Sequence, residues 1–241
     1  MEKYRLDILL SKKLNISREK ARKIILDNKV LYNKKPLKSS FKLTDEDFLN
    51  IEILESDFLK YVSRGGLKLE KALEEFQIDV KDKIALDVGS STGGFTHCLI
   101  KNGVEKVYAV DTGTLQMERE IAENPKVFLN ENTNILDFSC EKVDIIVVDV
   151  SFVSTTKLIE KLSTMLKDDG DLVILFKPQF EVGRKFLSKK GVVKDKKVTL
   201  KTLGFVLEFY ENFSLKVVKH ISSPILGGDG NEEFLVHLKR G

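Results

Sequence analysis

Residues 84 to 96 read IALDVGSSTGGFT, and their reading decides the fold. An apolar run of strand length passes into a turn of small residues and then into a helix start. Such a strand–turn–helix unit belongs to an open α/β sheet, in which ligands sit at the carboxyl ends of the strands. Gly89, Gly93 and Gly94 let backbone approach a ligand closely, because no Cβ intervenes. Upstream, a helix is predicted from Gly66 to about Phe76. Downstream, KVYAV, VDIIVVDV and DLVILF read as strands, with helices expected in LQMEREIAEN, VSTTKLIEKLSTML and VTLKTLGFVLEFYEN. This alternation predicts a mostly parallel sheet covered on both faces. The last two apolar runs, LKVVKHI and EEFLVHL, are joined by ISSPILGGDGN with no helix between them, so a hairpin with an antiparallel C-terminal strand is expected.

The chain has 241 residues, enough for one larger domain and a small one. Hydrophobic residues at 42% supply a core, and no apolar run reaches the roughly 18 residues of a membrane helix, so stable membrane insertion is not expected. MEKYRLDILLSKK lacks the apolar stretch of a signal peptide, and Cys98 and Cys140 form no C-x-x-C pair; both features fit a reducing cytoplasm. His97, His220 and His237 show no metal-ligand spacing. The net charge of +3 hides a division: residues 1 to 42 sum to +9 and residues 184 to 201 to +7. Two basic tracts on a near-neutral chain point to a polyanion partner such as nucleic acid.

Residues 1 to 58 read as a small α+β domain, 59 to 63 as a linker and 64 to 241 as the α/β domain. In the small domain RLDILLSKKL is a first helix, with Leu6, Leu9, Leu10 and Leu14 on one side. Ser17 caps a second helix that buries Ala21, Ile24 and Ile25 and turns Arg18 and Arg22 away. KVLYN and FLNIEIL read as strands around the turn NKKP. A basic helix beside a small sheet suits RNA phosphates. Arg5, Arg18, Lys20, Arg22, Lys23, Arg64, Lys185, Lys189 and Lys190 are the candidate RNA-binding residues.

Asp111 ends the strand after the glycine turn, where a carboxylate accepts hydrogen bonds from ribose hydroxyls. The glycine spacing is not G-x-G-x-x-G, and no G-K-[ST] follows. Asp87 before the turn disfavours a pyrophosphate and suits a cationic ligand. S-adenosylmethionine, with an ammonium, a sulfonium and a ribose diol, meets these conditions. The candidate cofactor residues are Asp87, Gly89, Ser90, Ser91, Gly93, Gly94, Phe95, Asp111, Asn134 and Ile135. Charge also recurs where a core does not need it: Lys68 in SRGGLKL, Asp149 in VVDVSF, Lys177 in FKPQFE and Glu233 after GGDGN.

Several of these motifs carry a resemblance. R-L-D (5–7), S-R-E-K-A (17–21), I-I-L-D-N-K-V-L-Y-N (24–33) and I-E-I (51–53) resemble an S4-type RNA-binding domain. D-x-G-x-x-x-G-G-F with a later V-D resembles the FtsJ-like branch of class I S-adenosylmethionine-dependent methyltransferases, in which TNILDF lies where adenine is contacted. The order Lys68, Asp149, Lys177, Glu233 resembles the K-D-K-E tetrad of ribose 2′-O-methyltransferases, and SRGGLKL, VVDVSF, FKPQFE and G-N-x-E resemble the TlyA family, also called hemolysins. Ser90-Ser91-Thr92 departs from the Ala-Ala-Pro common in the FtsJ pattern. The resemblance implies a Rossmann-like fold with a seven-stranded sheet and an antiparallel C-terminal strand. It also implies S-adenosylmethionine as cofactor and the 2′-hydroxyl of a ribosomal RNA nucleotide, cytidine in this family, as acceptor. Ribosomal RNA or ribosomal subunits are the implied partner.

Lysine ordinarily titrates near 10.4, and cationic neighbours with burial lower that value. The expected chemistry has neutral Lys177 taking the 2′-hydroxyl proton, Lys68 favouring the developing negative charge, and Asp149 and Glu233 orienting the lysines. Amino-group methylation is disfavoured because no [DN]-P-P-[FYW] occurs, and carbon-5 methylation because neither cysteine follows a proline. A non-catalytic ribosome-assembly factor and a membrane-active hemolysin are the alternatives from other classes.

Overall fold

The computed structural model describes residues 2–14, 16–54 and 60–241. The chain divides into two compact units, Met1–Tyr61 and Val62–Gly241. Residues 55–58 of the expected small domain, and Leu59 of the expected linker, lie outside the described residues.

The N-terminal unit contains β1 (Tyr4–Arg5), α1 (Leu6–Leu14), α2 (Arg18–Leu26), β2 (Val30–Tyr32), β3 (Lys35–Pro36), β4 (Lys42–Leu43) and β5 (Ile51–Ile53). Ser17 Oγ accepts from the Lys20 amide at 3.1 Å and starts α2. The apolar faces of the two helices meet in a core of Leu6, Leu9, Leu10, Ala21, Ile24 and Ile25. Asn33 and Lys34, at φ 49° and 63°, form the two-residue turn of the β2–β3 hairpin. The strand expected over FLNIEIL is shorter. Thr44 and Asp47 accept from each other's amides at 3.1 and 3.0 Å and hold Asp47–Asn50 in a 3₁₀ turn, leaving only Ile51–Ile53 extended.

In the C-terminal unit the elements are α3 (Gly65–Phe76), β6 (Ile84–Val88), α4 (Gly94–Lys101), β7 (Lys106–Val110), α5 (Arg119–Ala122), β8 (Val127–Asn130), β9 (Val143–Val148), α6 (Ile159–Met165), β10 (Leu166–Phe176), α7 (Pro178–Glu181), α8 (Lys196–Tyr210), β11 (Leu215–Ser222) and β12 (Phe234–Arg240). The sheet runs β11-β12-β10-β9-β6-β7-β8, with β12 antiparallel between β10 and β11. The fold class is therefore the α/β, mostly parallel sheet that the sequence predicts, with the seven strands that the resemblance implies. Its central strands are buried on both faces: Leu86, Val88, Ile146, Val148, Leu172 and Ile174 on one, and the alternating Ala85, Ile145, Val147, Val173 and Leu175 on the other.

Three local expectations change. LQMEREIAEN forms one helical turn, Arg119–Ala122, because Leu115 has φ 54°, incompatible with a helix. VSTTKLIEKLSTML splits into a 3₁₀ turn at Thr155–Lys157 and α6, and its last residue, Leu166, already belongs to β10. Strand β8, for which no apolar run was assigned, closes the sheet beside β7.

Candidate active site

Four strand ends build the site: those of β6, β7, β9 and β10. After β6 the chain turns at Gly89, φ 82°, where an added Cβ would lie 2.5 Å from the Asp149 carbonyl oxygen. Only glycine lets the exits of β6 and β9 press together there. Asp111 follows β7; its Oδ2 accepts from the Ser91 amide at 2.8 Å and its Oδ1 from the Gly113 amide at 2.7 Å. These bonds fix the carboxylate at the wall of a cavity of about 580 Å³, whose lining includes Gly89, Ser91, Asn134, Ile135 and Asp149.

Two smaller cavities complete the region. One of about 220 Å³ is lined by Lys68, Asp149, Ser90, Gly94 and Phe95, with Arg64. The other, of about 360 Å³, is lined by Lys177, Glu233, Ser151, Phe152 and Gln179. Asp149 thus faces two cavities, and Ser151 with Phe152 joins the first to the third.

The four charged residues form two pairs. Lys177, the residue before Pro178 at the start of α7, places Nζ 2.5 Å from Asp149 Oδ1 and donates to Ser151 Oγ at 2.9 Å. Lys68, in the first turn of α3, donates to Glu233 Oε2 at 2.5 Å. Glu233 immediately precedes β12 rather than lying within it. Lys68 and Glu233 are both buried.

Among the ten candidate cofactor residues, five line the largest cavity (Gly89, Ser91, Asp111, Asn134, Ile135), and three line the small one (Ser90, Gly94, Phe95). Asp87 and Gly93 line neither. Asp87 is fully buried; its Oδ2 accepts from Thr96 Oγ1 at 2.6 Å and its Oδ1 has no protein partner. Burial, with a smaller push from the Asp149 and Asp111 charges, raises its pKa to about 7. Gly93, φ 87°, shapes the turn: a Cβ there would crowd Met117 and Ile121 at 3.2 Å.

The basic candidates fall into several settings. Arg18 and Arg22 do not simply face away from the core. Together with Arg5 they converge on Asp7, at 3.0, 2.9 and 3.0 Å, because a fully buried carboxylate needs counter-charge. Each guanidinium stays roughly half exposed. Lys20 donates to the Tyr61 carbonyl at 2.7 Å, and Lys23 pairs with Glu19 at 2.7 Å. Lys185, in the 3₁₀ turn Arg184–Phe186, is exposed, as are Lys189 and Lys190 on the loop that a bridge between Leu187 and Val193 closes.

Sequence reasoning assigned no role to Asp7, Ser151 or Glu181. Only Glu181 left a signal, a carboxylate one helical turn beyond Lys177. Among the described residues no group of three His, Cys, Asp or Glu could hold a metal, and no helix is long and apolar enough to cross a membrane.

A mostly parallel sheet with one inserted antiparallel strand, a glycine turn after its first strand and an acid at the end of the next is the Rossmann-like architecture of a methyltransferase. The FtsJ-like methyltransferase family matches residues 61–240 and the S4 domain matches residues 5–49. The chain belongs to the FtsJ-like methyltransferase family, whose methyl donor is S-adenosylmethionine. It is 38% identical to the 23S rRNA (cytidine-2′-O)-methyltransferase TlyA of Campylobacter jejuni, over 97% of this chain and 98% of that one. Identity to the 16S/23S rRNA (cytidine-2′-O)-methyltransferase TlyA of Mycobacterium tuberculosis is 34%, over 96% and 87%. A solved structure described as a hemolysin from Streptococcus thermophilus superimposes with a TM-score of 0.75 at 37% identity, covering all of this chain and 89% of that one.

Proposed function

We propose that this protein transfers a methyl group from S-adenosylmethionine to the ribose 2′-hydroxyl of a cytidine in ribosomal RNA, and that it acts in the cytoplasm on ribosomal subunits. The observation that carries this reading is the convergence of the Lys177–Asp149 and Lys68–Glu233 pairs on cavities adjoining the one that Asp111 borders.

The largest cavity suits the cofactor. Asp111 offers a carboxylate for a ribose diol, and Asn134 and Ile135 line the same cavity. When bound, the donor supplies an electrophilic methyl on a sulfonium. In its neutral amine form Lys177 Nζ, oriented by Asp149 and Ser151, would accept the 2′-hydroxyl proton and leave the oxygen able to take the methyl group that the donor supplies. Lys68, held by Glu233, favours the negative charge that develops on that oxygen. General-base help contributes roughly 10²–10⁴ in rate, and alignment much of the remainder. Lys185, Lys189 and Lys190, with the arginines around Asp7, supply phosphate contacts.

Mass-spectrometric mapping of 2′-O-methylated nucleosides in ribosomal RNA, with and without the protein, tests the reading. It predicts a methylcytidine that depends on the protein. Unchanged RNA after incubation with protein, cofactor and ribosomal subunits contradicts it.

A further inference from the structure

The segments 149–155 and 177–181 are stapled along their length. At one end Asp149 and Ser151 hold Lys177. In the middle the rings of Phe152 and Phe180 meet at 5.2 Å between centroids. At the other end the Glu181 carboxylate accepts three hydrogen bonds: from Ser154 Oγ at 2.5 Å, the Thr155 amide at 2.8 Å and Thr155 Oγ1 at 2.6 Å.

The direction of the protons follows from the acceptor. A carboxylate has none to give, so Ser154 and Thr155 direct their hydroxyl protons to Glu181. Buried Tyr210 must then donate to Thr155 Oγ1, 2.5 Å away, and Thr156 to Ser154 Oγ at 2.6 Å. Every donor in the network points toward Glu181.

Between the two staples sits Phe152, at φ 66° and 92% exposed. That conformation is sparsely populated for a bulky residue and persists only where the surroundings over-determine it. Phe152 and Ser151 also line both the largest cavity and the cavity of Lys177.

We propose that Glu181 is a positioning residue for methyl transfer: by fixing Ser154 and Thr155 to the helix that Lys177 opens, it sets Asp149, Ser151 and Phe152 against the Lys177 amine. The proposal rests on the methyltransferase reading above. Glu181 touches no reacting atom; it acts through the loop.

The test is steady-state methylation by the full chain at saturating donor and ribosomal RNA, with thermal unfolding measured in parallel. Misplacement of a reacting group by about an ångström costs roughly 10²-fold, so Glu181→Ala should lose roughly that factor in kcat. Glu181→Gln keeps one acceptor oxygen and should lose roughly tenfold. Tyr210→Phe removes the most distant donor and should keep kcat within about twofold while lowering the unfolding temperature, because it leaves the Glu181 bonds to the loop in place. Wild-type kcat in both Glu181 variants overturns the proposal. So does a kcat loss in Tyr210→Phe that matches Glu181→Gln, since stability alone would then explain both. If the wild-type protein itself transfers no methyl group, the functional reading fails instead, and that outcome is distinct from the other two.

Discussion

Lys68 and Glu233, separated by 165 positions in the chain, meet at 2.5 Å in a buried pair that ties α3 to the start of β12. The pair joins an element that precedes the sheet to the strand inserted last in sequence, so its geometry reports the assembled fold.

Removing one partner of a buried pair leaves the other charge uncompensated. Lys68→Ala should destabilise the protein by about 3–5 kcal/mol, and Lys68→Met with Glu233→Gln should recover much of that. Chemical denaturation of the three proteins measures it. The double variant should lose methyl transfer even where its stability is recovered, because the amine proposed to face the developing alkoxide is gone.

Asp87 predicts a pH dependence. Its folded pKa of about 7 lies above the unfolded value of 3.8, so between those limits the folded chain holds a proton that the unfolded chain releases. Stability contributed by this group is therefore present at low pH and falls as pH rises through that window, by at most about 4 kcal/mol. Asp87→Asn should flatten the slope and raise stability at pH 8. Denaturation midpoints from pH 5 to pH 8 measure both effects.

Asp7 behaves in the opposite sense. Burial pushes its pKa up, but hydrogen bonds from Arg5, Arg22 and Arg18 outweigh that and hold it well below the usual carboxylate range. Its contribution is fully present above the unfolded value and is lost as pH falls through the depressed folded value. Asp7→Asn should cost about 2 kcal/mol at neutral pH, read as faster hydrogen exchange of the Leu6–Leu14 amides.

The exposed lysines of the 184–194 loop should act through phosphate charge. Replacing Lys185, Lys189 and Lys190 together with alanine should reduce the slope of log affinity against log salt by roughly 0.7–0.9 for each phosphate no longer neutralised. Affinity for ribosomal RNA across a salt series measures it, and donor affinity should be unchanged.

The architecture was legible because the β6 turn and the apolar runs obey local rules: strand length, small-residue turns and amphipathic helices leave marks within a dozen residues. The partnering of the tetrad was not. Which carboxylate holds which lysine depends on β12 entering between β10 and β11, and that insertion has no local signature. Asp7 was invisible for a similar reason: Arg5 stands two residues away, but Arg18 and Arg22 reach it only because α2 packs against α1. Glu181 stands in the quoted motif, yet its partners Ser154 and Thr155 lie 27 and 26 positions upstream. Leu115 also escaped notice, because a positive φ at leucine is dictated by the loop it joins and not by its own preference.

The most direct test of the catalytic account is methyl transfer to ribosomal RNA by Lys177→Ala, with donor binding followed by calorimetry. The account predicts donor affinity close to that of the unaltered protein and a rate lower by roughly 10²–10⁴. A rate near that of the unaltered protein would contradict it.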